Sequence, residues 1–423
     1  MSELNARGVL GIRDFRLVWV AQTISDLGDG LTTLALLLVV NALTGSTAAL
    51  ALMAIVLAVP PMTIGLIAGV YVDRLDRRRL MLAADALRVV IVLGFVLVRS
   101  ADHVWILYVL AFLEATVATF FTPARMALVP TIVPEAGLLA ANGLSQASRV
   151  IAATIGAALA GVLFGLAGNA GPAFIGDSLT FAISFLLVLN VRTRPAAVPA
   201  AAAAATAPKA SLRSELRDGL GIIVRSPILV GTLVSVGVLM LGLGAVNVLF
   251  IPLLIGHLHV EATWIGLVDV AQTSSMILAA VLVSAIAHRL RPTSIVTIGL
   301  AGIAVMVVLL AFVTALWQVI VLLFLVGWLV SPLNAAAGTI LQTSVEDTAR
   351  GRVGAALNAI TSAASIASMA AAGLLASAIG VQNVFLIAGA LTALSAVTAF
   401  ILFRRVSRHR GAAGYTESPA LGS

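Results

Sequence analysis

Long apolar stretches separated by short polar links run through the chain, and the links carry most of the charge. About 20 apolar residues cross the ~30 Å hydrocarbon core of a bilayer. With glycine, proline and charge clusters as boundaries, the pattern predicts twelve spans, near 16–42, 47–72, 80–99, 103–122, 138–167, 171–191, 227–256, 261–287, 293–313, 316–337, 353–379 and 382–403. The first stretch exceeds the ~7–15 residues of a signal-peptide core and has no small-residue cleavage site after it, so it is expected to be a retained span. The expected fold is an all-α polytopic membrane protein of two pseudo-symmetric six-helix bundles, 1–191 and 227–403. A linker at 192–226 joins them, and a tail at 404–423 follows.

Composition agrees. The 423 residues are 61% hydrophobic and 10% charged, against about a quarter charged in soluble domains. The net charge of +7 would point to nucleic acid in a soluble chain; here the basic residues sit in links, and no nucleic-acid partner is expected. Without cysteine there are no disulfides, thiolate nucleophiles or cysteine metal sites. Lys209, the one lysine, is followed by Ala210, which excludes a G-x-x-x-x-G-K-[ST] phosphate loop. His257 and His259 beside Glu261 read as solvated loop residues. No metal, cofactor or enzymatic activity is expected.

Every basic residue except Arg88, Arg99 and Arg149 falls in the N-terminal segment, an even-numbered link or the C-terminal tail. The positive-inside rule then places both termini in the cytoplasm, as expected for a multi-pass protein of a bacterial plasma membrane. The linker begins as a Pro/Ala tract that buries nothing. From Ser211, an N-cap candidate, apolar and charged positions alternate at helical spacing, predicting a short amphipathic surface helix. The halves echo each other: Val72-Asp73-Arg74-Leu75 falls on Ala287-His288-Arg289-Leu290 after a shift of half the chain, and Thr122-Pro123 parallels Ser331-Pro332. Parallel six-helix repeats with a midplane site between them are a transporter architecture.

Gly69-x-x-x-Asp73-Arg74-x-x-Arg77-Arg78 resembles the signature loop between spans two and three of the major facilitator superfamily, with Asp76 where the family pattern has glycine. Phe15-Arg16-x-x-Trp19 to Ser25-Asp26-Leu-Gly28-Asp29, Asp85-Ala-Leu-Arg88, and Phe121-Thr-Pro123-Ala124 to Ala141-Asn142 resemble its drug:proton antiporter branch, which includes macrolide, tetracycline and enterobactin exporters. The antiporter signature of span five is partly present, as Ile155-Gly156-Ala157-Ala158-Leu-Ala160-Gly161 with alanine in place of proline. Gly156, Gly161 and Gly165 there would permit close helix approach. The loop is expected to act as a conformational latch made of Gly69, Asp73, Arg74, Arg77 and Arg78, with Asp85 and Arg88 as a local i, i+3 pair supporting it.

Ionisable residues inside spans cost about 2.5–3.5 kcal/mol each at mid-helix and need a reason. At ~1.5 Å rise per residue, Asp26, Glu114 and Arg149 each lie ~15–16 Å from a span end, near the midplane. Together with Asp29, one turn beyond Asp26, they form the expected central polar site for proton coupling. A buried arginine keeps its charge and needs an anionic partner, so proton uptake there would depend on which partner Arg149 holds. Gln22 shares the face of Asp26 and Asp29, and Asp269 with Gln272 would line the C-terminal side of a cavity. The resemblance further places Phe112, Phe120, Asn247, Trp328 and Asn334 near the substrate path. A sparsely aromatic, mainly aliphatic cavity suits amphiphilic compounds better than sugars. The expected function is secondary active export of hydrophobic or amphiphilic small molecules by proton antiport, with the chain working as a monomer. A siderophore exporter or a lipid-translocating carrier of the same fold is the alternative, and a membrane sensor or scaffold that does not transport is the rival from another class.

Overall fold

The computed structural model describes residues 5–65, 68, 72, 75–192, 212–284 and 291–413. Gly69, Asp73 and Arg74 of the expected latch lie outside them, as do the Pro/Ala tract, Ser211, and the His288-Arg289 echo. The described chain is helical. A short helix, α1 (Ala6–Leu10), precedes the spans α2 (Arg13–Thr44), α3 (Thr47–Thr63), α4 (Arg77–Phe95), α5 (Val104–Ile132), α6 (Leu138–Ala167) and α7 (Gly171–Leu189). After the linker come α8 (Leu212–Arg225), α9 (Pro227–Ile251), α10 (Ala262–Ser284), α11 (Pro292–Leu310), α12 (Leu316–Ser344), α13 (Asp347–Ile379) and α14 (Val381–Ala413). Among the described residues ten helices are long and apolar enough to cross a membrane, and α3 is a shorter apolar helix. The remaining expected span is α4, which carries Arg77, Arg78, Arg79, Asp85 and Arg88.

Two compact units form, Met1–Ala207 with Val248–Thr273, and Pro208–Asn247 with Ser274–Ser423. In the first, α2 packs on α6 and α7, α3 on α5, and α4 on α5 and α7. In the second, α11 packs on α12 and α14, and α8 on α13. There α9 meets α13, where Ser368 donates to the Leu241 carbonyl at 2.5 Å, and α14, where Ser395 donates to the Ser235 carbonyl at 2.6 Å. The third span of each half thus packs on the fourth and sixth, and the first on the fifth and sixth. The repeat is a shared packing scheme, and Pro123 in α5 and Pro332 in α12 are its visible sequence trace.

Glycines set the closest approaches. A Cβ at Gly30 would lie 2.1 Å from the Ala153 carbonyl oxygen, and one at Gly156 2.0 Å from that of Leu27. Between them α2 and α6 touch backbone to backbone. Gly161 and Gly165 bring α6 close to α10, where a Cβ would lie 2.7 Å from the Ala262 carbonyl oxygen and 2.0 Å from the Thr263 hydroxyl, respectively. These three glycines of span five therefore do permit the close packing read from the sequence.

The loop arginines bind carbonyls of neighbouring helices. Arg77 donates to the Ala127 carbonyl at 3.1 Å, and Arg78 to those of Val188 at 3.1 Å and Leu189 at 2.6 Å. Leu189 ends α7, where helical carbonyls lack intrahelical partners and attract positive charge; with the Arg77 bond to α5, these side chains fasten α4 to α5 and α7. Beside them Val18, Met81, Phe121, Leu128 and Val188 form an apolar cluster drawn from four spans. Asp76, at the position where the family pattern has glycine, caps α4 by accepting from the Arg79 amide at 3.0 Å. Asp76→Ala is expected to lower unfolding stability by about 1 kcal/mol, measurable by thermal denaturation in detergent, with transport retained.

Candidate functional site

The first span places its polar residues on one face. Gln22, Ser25, Asp26 and Asp29 recur at helical spacing along α2 and line a cavity of about 110 Å³ within the first unit. On α5, Phe121, Thr122 and Arg125 face the same space, and Arg88 from α4 and Arg149 from α6 complete its charged lining.

Two polar groups meet there. In one, Gln22 donates to Asp26 Oδ2 at 3.0 Å and to the Ser145 carbonyl at 3.3 Å, while Arg125 donates to Gln22 Oε1. In the other, Arg88 bridges two carboxylates: its Nε donates to Glu114 Oε1 at 2.8 Å, and its terminal nitrogen contacts both Glu114 and Asp29. The Phe181 ring lies 3.9 Å from the guanidinium carbon, a cation–π contact strengthened by desolvation. Arg88 is 2% exposed and Glu114 11%, whereas Asp29 is 39% exposed and connects the pair to the cavity. The Ser25 hydroxyl, also on the cavity, is buried without a hydrogen-bond partner.

This arrangement corrects the expected site in two respects. Glu114 pairs with Arg88; Arg149 is an exposed residue of the cavity wall. Nor is Arg88 a loop support paired with Asp85, whose hydrogen bond comes instead from Ser184 at 2.7 Å. Measured from the start of α4 at Arg77, Arg88 lies eleven residues in, the ~16 Å that marks the midplane. Counting from a later helix start, with Asp85 as the obvious neighbour, concealed this.

Of the expected cavity residues, Gln22 lines this space and Phe112, Phe120, Asn247, Asp269, Gln272, Trp328 and Asn334 do not. The reason for the phenylalanines is helical phase. At about 100° per residue, Phe112 lies about 160° and Phe120 about 120° around α5 from Glu114, and Phe121, about 20° from it, takes the inward position. Arg125, assigned to a link by its charge, is drawn into the cavity by Gln22. Asp177 is fully buried, accepting from Thr32 at 2.5 Å and Thr180 at 3.1 Å. The signal for it was Asp177, Thr180, Phe181 and Ser184, a polar-aromatic stripe at i, i+3, i+4 and i+7.

Comparison with known proteins gives this site its setting. The chain is 23% identical over 383 residues to macrolide efflux protein A of Streptococcus pyogenes, covering 89% of this chain and 93% of that protein. It is 28% identical to the multidrug efflux pump Tap of Mycobacterium tuberculosis, covering 88% of each. With the enterobactin exporter EntS of Citrobacter koseri it shares 26% identity, covering 80% of this chain and 79% of that one. Among solved structures, the nucleoside transporter NupG superposes with a TM-score of 0.70 at 12% identity, over 92% of this chain and 99% of that one. A bacterial homologue of the iron transporter ferroportin, in an inward-facing state, gives 0.72 at 15% identity, over 92% and 98%. Residues 8–413 match the profile of the transmembrane secretion effectors, and the chain belongs to that family of the major facilitator superfamily, a multi-pass membrane transport protein and not an enzyme.

Proposed function

We propose that this protein is a secondary active exporter of hydrophobic or amphiphilic small molecules, drugs or natural products, driven by proton antiport and alternating access. The observation that carries the reading is the pair Asp29 and Glu114 held by one buried arginine. Two carboxylates and one guanidinium leave an excess negative charge, and a proton bound at either carboxyl removes it. Because Asp29 reaches the cavity, a substrate that enters beside it changes how well Arg88 is satisfied. Proton and substrate therefore compete through one side chain, which is what exchange requires. The basic links support a plasma-membrane protein with both termini cytoplasmic, and each chain carries its own complete cluster, which supports a working monomer.

An acidic siderophore is the second reading. Arg125 and Arg149 give the cavity two cationic walls, and EntS is by name an exporter of enterobactin. Everted vesicles offered erythromycin, tetracycline, ethidium and enterobactin under an imposed pH gradient separate the two. Accumulation of the first three that falls at least tenfold when the gradient is collapsed is the expected result. Uptake of enterobactin alone favours the siderophore reading, and accumulation indifferent to the gradient rejects proton antiport.

A further inference from the structure

Asp85 lies one turn before Arg88 on α4 and is fully buried. Ser184 donates to its Oδ2, but its Oδ1 has no hydrogen-bond partner. An ionised carboxylate with a bare oxygen is costly in a dry interior, and the cation that acts on it, Arg88, is already engaged by Asp29 and Glu114. The surroundings add no other positive charge among the described residues. Helix α2 contributes Asp29, α5 contributes Glu114, and α7 contributes Asp177, itself bonded to Thr32 and Thr180. One guanidinium thus serves four carboxyls. Residues i and i+3 share a helix face, so Arg88 reaches Asp85 by turning its own side chain.

We propose that Asp85 is a second proton-binding carboxyl of this unit and the alternative partner of Arg88, so that the guanidinium trades Asp29 and Glu114 for Asp85 as a proton passes. In the arrangement observed, Asp85 holds the proton and Arg88 is shared by Glu114 and Asp29, the remaining negative charge lying toward the cavity beside Asp29. In the exchange, the O–H bond at Asp85 breaks and the proton bonds to an oxygen of Glu114. Arg88 carries its positive charge the opposite way, onto the newly ionised Asp85. The net charge of the group is unchanged, and the carboxylate that gives up the cation without gaining the proton is Asp29, which is 39% exposed and lines the cavity. The bare Oδ1 is the position the guanidinium takes. The role in transport rests on the proton-antiport reading; the binding of a proton at Asp85 does not.

The test is infrared spectroscopy of the purified full-length protein in lipid, following the carbonyl band of protonated carboxyls during a pH titration. Ethidium accumulation by proteoliposomes under a pH gradient is measured alongside. Asp85→Asn is expected to remove one component of that band and to reduce accumulation at least tenfold, while Asp102→Asn, in an exposed link, changes neither. Ser184→Ala, which keeps the carboxyl and removes its hydroxyl partner, is expected to shift the same component to higher wavenumber, and it decides the assignment if Asp85→Asn does not fold. A band unchanged in Asp85→Asn, or unshifted in Ser184→Ala, overturns the proposal. Loss of the band component in a protein whose wild type ignores the gradient overturns proton antiport and leaves the proton at Asp85 standing.

Discussion

Arg88→Gln is expected to abolish gradient-driven export and to lower the stability of the first unit by about 3–5 kcal/mol, the usual cost of leaving a buried charge without its partner. That cost needs little discount for solvent, because Arg88 is 2% exposed and Glu114 11%. Arg88→Lys is expected to keep part of the stability and little of the transport. A lysine places one compact ammonium where the arginine holds Glu114 and Asp29 with a planar fork. The decisive variant is the double replacement Arg88→Gln with Glu114→Gln, which removes both charges. Thermal unfolding in detergent is expected to recover most of the loss, with a non-additivity of about 0.5–3 kcal/mol or more between the sites, while vesicle transport stays absent. If the single and double variants unfold alike, the pair contributes nothing and the cluster is not the coupling centre.

The other large effect is expected at Gly156. Its missing Cβ would sit 2.0 Å from the Leu27 carbonyl oxygen and 3.0 Å from the Leu31 amide nitrogen. Both are backbone atoms of a neighbouring helix, so no rotamer change relieves the clash. Gly156→Val is therefore expected at or above the upper end of the ~1–3 kcal/mol typical of overpacked sites. Because α2 carries Asp26 and Asp29, displacing it also shifts the acids from their partners. Gly143→Ala supplies the contrast: nothing lies within 4 Å of a Cβ there, and a glycine-to-alanine change inside a helix is expected to raise stability by about 0.5–1 kcal/mol. Comparing the two by thermal unfolding separates helix propensity from packing.

The spans were legible because lipid imposes the same length and polarity on each of them. Described helices occur at all twelve expected positions, and α8 occupies the place of the amphipathic linker helix. Partner choice was less legible. Depth along a helix marked Asp26 and Glu114 as midplane residues, with Asp29 added by its i, i+3 spacing, since rise per residue is nearly constant. It did not identify the arginine, since Arg88 and Arg149 are comparably deep and only the packing of α4 on α5 selects between them. Phase decides which phenylalanine faces this cavity, since a shift of one residue, from Phe120 to Phe121, turns a ring by about 100° around α5. Arg125 shows the limit of reading charge as topology: a long side chain near a span end turns inward when an acceptor such as Gln22 awaits it.

The ion cluster has a consequence for how the chain is made. Its parts are far apart in sequence: Asp29 meets Arg88 59 residues later, and Thr32 meets Asp177 145 residues later. When the first span leaves the ribosome it holds two acids in its interior, Asp26 and Asp29, while its arginines, Arg13 and Arg16, lie at its end, so by itself it is a poor candidate for stable insertion. Arg88 arrives with the third span, and Asp177, which seats against Gly28, with the sixth. The first span is therefore expected to stay beside the translocon, or to sit shallowly in the bilayer, until the spans that complete it have been synthesised. Chains truncated before α4 should be extracted from membranes by alkali more readily than chains ending after α7. Biogenesis of this half is then a single late assembly step, and a defect at Arg88 reduces the amount of protein before it affects the turnover of any molecule.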